Sequence, residues 1–191
     1  MMTTRVRGVA VALALVASAQ VAQAQTGVSL GLGGGAAMPT GAYGDALGTG
    51  WSSQLVARVN PAASPVGVQL DGFYNRFRLE GGIDGNNRLI GGTANAVYAF
   101  PTGSRARPYL IGGLGVYNGK VSIDGLGSSE SETKWGANAG AGFDVGVGKH
   151  AAVFAEGRFH AIFKGITDAT TLEEETAYMV PLTVGLRWSL Q

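Results

Sequence analysis

The sequence predicts an all-β chain: eight antiparallel strands in up-and-down order, closed into a barrel that spans a membrane, behind a cleavable signal peptide. Three observations predict it. The first is alternation with a period of two. In the stretch WGANAGAGFDVGVGKHAAVFAEGRFHAIF, Trp135, Ala137, Ala139, Ala141, Phe143, Val145 and Val147 fall on one face, and Asn138, Asp144 and four glycines fall on the other. After a Gly148-Lys149-His150 break, Phe154, Glu156, Arg158 and His160 alternate with small or apolar residues. This is a hairpin of two long strands. The second is composition: Gly is 32 of 191 residues and charged residues are 14%, against about 25% in soluble domains. The third is that the connections alternate between long and short.

Residues 1–24 form the predicted signal peptide. Arg5 and Arg7 make a basic start, Val9 to Ala17 an apolar run, and Ala22-Gln23-Ala24 a small-x-small cleavage site. The apolar run is shorter than the roughly 20 residues of a spanning helix. Residues 25–191 are then the barrel domain. Without Arg5 and Arg7, 12 of the 14 basic residues remain against 13 acidic ones, so its formal charge is −1 rather than +1. That balance points to no nucleic-acid partner. The absence of cysteine leaves no disulfide framework and no thiolate metal site.

The strands follow in order. Val28, Leu30 and Leu32 alternate with Ser29, Gly31 and Gly33; Trp51, Leu55, Ala57 and Val59 alternate with Ser52, Gln54 and Arg58. Val66, Val68, Leu70 and Tyr74 alternate with Gln69, Asp71 and Asn75; Ile90, Ala94, Ala96, Tyr98 and Phe100 alternate with Thr93 and Asn95. Tyr109 to Asn118 is apolar on both faces, so its phase is ambiguous. The hairpin supplies two more strands. In the last, Tyr178, Val180, Leu182, Val184, Leu186, Trp188 and Leu190 alternate with Thr183, Arg187 and Ser189. The connections Met38–Gly50, Arg78–Arg88, Lys120–Lys134 and Lys164–Thr176 span 13, 11, 15 and 13 residues, whereas Asn60–Pro65, Pro101–Arg107 and Gly148–His150 span 6, 7 and 3. Up-and-down order puts the long loops at one end and the short turns at the other. Outer-membrane barrels show this asymmetry, with long loops outside the cell and short turns in the periplasm.

Each face then has an expected role. Outside, Trp51, Tyr74, Trp135 and Tyr178 near the long loops, and Phe100, Tyr109 and Trp188 near the short turns, make two interface belts. Inside, Arg58, Asp71, Asp144, Glu156, Arg158 and Arg187 make a balanced ion-pair network, three acids and three bases, with Gln54, Gln69, Asn75, Asn95, Asn138 and His160. Glycines on the inward face of the sixth strand leave room for long neighbours such as Arg158. Eight strands enclose a bore that side chains fill.

The stretches GGGAAMPTGAYGDALGTGW, RPYLIGGLGVYN, WGANAGAGFDVGVGKHAAVFAEGRFH and VPLTVGLRW resemble the small eight-stranded outer-membrane barrels, the OmpA/OmpX/opacity-protein-like outer membrane protein beta-barrel domain. The resemblance covers Gly27 to Leu190. It implies an integral bacterial outer-membrane protein with a structural, adhesive or protective role. It also implies a terminal aromatic residue, where this sequence reads Trp188-Ser189-Leu190-Gln191.

Catalytic and cofactor motifs are missing: no Gly-x-Ser-x-Gly, no metal-spaced histidine cluster, no phosphate loop. Residues 31–37, GLGGGAA, lack the lysine and the helix pattern of a phosphate loop. Glu156-x-Arg158-x-His160 shares one strand face, which an acid/base pair would need and a lumen network also explains. No cofactor and no metal site is expected. The long loops carry ten acids against five bases, densest at Glu173, Glu174 and Glu175. That suits divalent cations or a surface partner. The expected neighbour of the wall is outer-membrane lipid, and the expected state is a monomer. Three functions stay open: a non-enzymatic envelope or surface-contact barrel, narrow-bore transport of a small solute, and an envelope-lipid enzyme.

Overall fold

A computed structural model describes residues 26–61, 64–81, 84–125, 127–163 and 176–190. The expected signal peptide and Glu173, Glu174 and Glu175 lie outside the described residues. Eight long strands form the wall: β1 (Thr26–Thr40), β2 (Gly50–Pro61), β3 (Val66–Arg78), β4 (Gly85–Ala99), β5 (Ala106–Ile123), β7 (Glu132–Gly146), β8 (Ala151–Ile162) and β9 (Ala177–Ser189). Two small elements sit in the connections: helix α1 (Ala42–Ala46) and the two-residue β6 (Gly127–Ser128), which folds back on β5. Every wall strand pairs antiparallel with the next. The seam between β1 and β9, from Ser29↔Ser189 to Thr40↔Tyr178, closes the sheet. Closure leaves no strand edge unpaired, as hydrocarbon requires.

The barrel is inside out relative to a soluble domain. Along β3 the side chains alternate between buried and exposed almost without a break. Outward go Leu30, Leu55, Leu70, Leu110, Leu114 and Val184, with Leu114 64% exposed; inward go Arg58, Gln69, Asp71, Glu156 and Arg158, with Arg158 4% exposed. Soluble proteins almost never bury such charges while exposing leucines in rows. A lipid solvent makes the arrangement favourable.

Several strands run further than the hydrophobic pattern suggests. β1 continues through Gly33 to Thr40, β5 to Ile123, and β4 starts at Gly85, where Gly85↔Ile123 is already paired. Beyond the apolar band the ladder needs only backbone hydrogen bonds, so polar residues such as Asn86, Asn87 and Ser122 extend it without an alternating signature. The strand ends leave connections 41–49, 79–84, 124–131 and 163–176 between strands at one end of the barrel and 62–65, 100–105 and 147–150 between strands at the other.

The fold corrects one belt residue. Tyr109 is 1% exposed and points into the bore. β5 is apolar on both faces, so alternation cannot set its phase. Its neighbours do: Tyr109 pairs with Gly142 on β7, in phase with inward Asp144. A methyl group at Gly142 would meet the Tyr109 ring at 2.5 Å, so only glycine admits the ring there. Trp51, Tyr74, Phe100, Trp135, Tyr178 and Trp188 all lie on the outer wall. Trp51 stacks on Tyr74 at 5.1 Å, Tyr178 on Phe159 at 5.3 Å, and Phe100 meets Tyr98 edge-on at 5.1 Å.

Candidate functional site

The bore is the chemically distinctive region, and it is built in three storeys. The middle storey centres on Asp71 of β3. Its carboxylate accepts from Arg158 Nη1 at 2.7 Å, Asn95 Nδ2 at 2.7 Å, Gln69 Nε2 at 2.8 Å, Thr93 Oγ1 at 3.0 Å and Gln54 Nε2 at 3.1 Å. Glu156 of β8 accepts from Arg158 Nε at 2.7 Å and the Tyr109 hydroxyl at 2.9 Å. Arg158 thus lies between two carboxylates drawn from opposite sides of the barrel. Gly140 faces it across β7–β8, where a Cβ would stand 2.8 Å from the Arg158 Cα and 2.9 Å from its Cγ.

The storey next to the short turns has the reverse composition. Arg58 Nη1 donates to Asp144 Oδ2 at 3.0 Å, and Arg187 Nη1 donates to Asp144 Oδ1. Arg58 lies over the Tyr109 ring, 4.2 Å from its centroid, and Arg187 over Phe154 at 4.9 Å. Arg58 Nε also donates to Gln69 Oε1 at 2.7 Å, which joins this storey to the middle one. The lumen as a whole is balanced, but neither cluster is. Two carboxylates hold one guanidinium in the middle, and two guanidiniums hold one carboxylate below.

The storey next to the long loops is largely apolar. Ala37, Leu47, Phe73, Phe77, Leu89, Tyr117, Ile162 and Met179 form one buried cluster, with Tyr43 of α1 packed against it. Tyr117 and Phe73 pack at 5.4 Å, and the Tyr117 hydroxyl meets His160 Nδ1 at 2.8 Å. Gly41, with φ of +62°, turns the chain out of β1 and sets α1 over the mouth. The void left between this plug and the middle storey is about 10 Å³, room for about one water.

Sequence reasoning placed no inward role on Phe73, Phe77, Tyr117 or Met179; Phe154 shares the inward face with Glu156, Arg158 and His160, as its alternation predicts. A signal existed: Phe73 and Phe77 are in phase with Asp71 and Asn75, and Met179 with Thr183. Asn75, Asn95, Asn138 and His160 are buried in the bore. Glu156 and His160 share a face without meeting. Glu156 is held by Arg158 and Tyr109, and His160 by Tyr117. Among the described residues no group of three His, Asp or Glu side chains is arranged to hold a metal ion.

Comparison with known proteins follows the same lines. No curated protein sequence matches the chain. Among solved structures, Neisserial surface protein A is 21% identical, with 85% of this chain and 97% of that one covered and a TM-score of 0.66. A major outer membrane protein from Thermus thermophilus is 11% identical over 86% and 99% of the two chains, with a TM-score of 0.59. Ail, the attachment invasion locus protein of Yersinia pestis, is 18% identical over 86% and 97%, with a TM-score of 0.53. The profile of the outer membrane protein beta-barrel domain matches residues 8–187. With its closed eight-stranded wall, apolar outside and charged within, this chain belongs to the outer membrane protein beta-barrel domain family and is integral to the bacterial outer membrane.

Proposed function

We propose that this chain is a non-enzymatic barrel that supports the envelope and presents its long loops for contact outside the cell. The observation that carries the reading is the closed bore. Opening a path means separating Arg158 from Asp71 and Glu156, and each ion so exposed in a low-dielectric lumen costs several kcal/mol. It also means displacing the aromatic plug beneath α1. Eight strands leave a bore that side chains fill, whereas aqueous channels need about 16. The lumen charges are of both signs, unlike the one-sign rings that select ions.

Contact through the loops is supported by their charge: connections 41–49, 79–84, 124–131 and 163–176 carry nine acids against one base, Lys164. That favours divalent cations or a basic partner. Ail, whose name describes attachment and invasion, has this fold; a contact role for the present chain is our reading. A monomer suits a wall with no free edge. Single-channel recording of the purified, refolded protein tests the proposal. Silence, or small intermittent events, is the expected result. A large, steady unitary conductance would replace the proposal with solute transport. Deleting residues 171–175 should reduce cell-surface contact and leave the barrel folded.

A further inference from the structure

We propose that the short-turn mouth of the barrel is a binding site for a small oxyanion-bearing ligand, phosphate or carboxylate, taken from the periplasmic side. The mouth is an open vestibule of about 880 Å³. Ligand sites commonly enclose about 300–1,000 Å³. Arg58, Arg107, Lys149 and Arg187 line it, and among the described residues Asp144 is the one acid that does so. Four bases against one acid leave a formal charge of +3. The chain is otherwise acidic at the opposite end, so this mouth is where the field draws anions.

The floor is built rather than merely basic. Arg58 and Arg187 are both more than nine-tenths buried. Each oxygen of Asp144 already holds one of them. Their guanidinium planes are held against the Tyr109 and Phe154 rings. Arg58 Nη2, Arg187 Nε and Arg187 Nη2 have no hydrogen-bond partner among the described residues. Buried donors left without acceptors are costly, and guanidinium nitrogens match the oxygens of carboxylates and phosphates. In the middle storey Arg158 Nη2 also makes no hydrogen bond, but it lies 2.7 Å from Glu156 Oε1, and the excess negative charge there meets amide, hydroxyl and phenol donors. What the floor lacks is acceptors and one negative charge, and an oxyanion supplies both. Arg107 stands opposite Asp144 in the β5–β7 register, yet no carboxylate lies within salt-bridge distance of it among the described residues. Arg107 and exposed Lys149 form the rim that captures the ligand. The inference does not rest on the surface-contact reading, because the vestibule lies at the mouth opposite the long loops.

The test is a titration of the full mature protein, refolded in maltoside micelles that carry no phosphate headgroup. The arginine Nε–H signals are followed by nitrogen-15 NMR at constant ionic strength, with inorganic phosphate, acetate or chloride as the probe. Phosphate or acetate should shift the Arg58 and Arg187 signals saturably. The Arg158 signal, already bound to Glu156, should stay in place. Saturation by both anions assigns a general oxyanion site; saturation by phosphate alone narrows it to phosphoryl groups. The exposed double variant R107Q/K149Q should weaken the apparent affinity about tenfold. Shifts that stay linear, that chloride reproduces, or that the double variant leaves unchanged would overturn the proposal.

Discussion

At the long-loop mouth, Phe77, Leu47, Tyr117 and Met179 pack into a plug that α1 covers, and dispersion and burial hold it without any charge. At the short-turn mouth, Arg58, Asp144 and Arg187 form a floor under an open, basic vestibule. Between them lies the acidic middle storey of Asp71 and Glu156. The difference teaches what each end can do. An apolar plug is complete in itself and closes the barrel to the outside. A floor with two cations to one anion is incomplete and invites a ligand. The charge alternation along the axis also explains why lumen balance survives although neither cluster is neutral.

The comparison breaks most sharply at Asp144. Asp144→Ala strands two buried guanidiniums at once, so the loss should reach about 5 kcal/mol, the upper end for breaking a buried pair. Urea unfolding in lipid vesicles measures it, and a loss under about 1 kcal/mol would remove the floor from the account. At the other mouth, Phe77→Ala should cost about 3 kcal/mol, the lower end for a buried phenylalanine, because Tyr43 and Leu47 lie on a connection that can settle into the gap. Its cost should be insensitive to phosphate salt, whereas the Asp144→Ala cost should fall as phosphate rises and its oxygens meet the two stranded guanidiniums. Equal salt dependence would show that the two mouths are not held by different forces.

A finer test uses pH. Burial against the apolar plug pushes the hydroxyl of Tyr43, on α1, up to about 12 from 10.0. Between these values the unfolded cap gives up a proton that the docked cap keeps. The docking free energy is therefore whole below about pH 10 and declines as pH rises toward 12. Hydrogen exchange of the 41–49 amides should quicken across that window beyond the ordinary base-catalysed rise. Tyr43→Phe should abolish the excess and cost about 1 kcal/mol at neutral pH, since only the 3.3 Å hydrogen bond to Asn87 is lost. An excess that persists in Tyr43→Phe would assign the loosening to another group.

Much of this was legible in the chain because alternation is local. Asp71, Asp144, Glu156 and Arg158 stand in mid-strand between apolar neighbours, which marks an inward face whatever the rest of the barrel does. The partners were not legible. Arg58 and Asp144 are 86 residues apart and Arg158 and Asp71 are 87 apart, and nothing in the spacing says which base crosses the bore to which acid. Tyr109 failed for a different reason. With apolar residues on both faces of β5, its phase had no local signal, and the pairing with Gly142 decided it.

The sequence by itself determined the number of strands, the face each side chain takes where polar and apolar residues alternate, and which end carries the long loops. Those properties depend on neighbours one to three residues away and on connection length. Only the tertiary structure decided that the ionic lumen divides into an acidic middle and a basic floor, that Tyr109 belongs inside, and that one mouth is plugged while the other stays open. The physical reason is closure. The β1–β9 seam sets the stagger of the whole sheet, and the stagger sets the height at which each inward side chain meets those from across the bore.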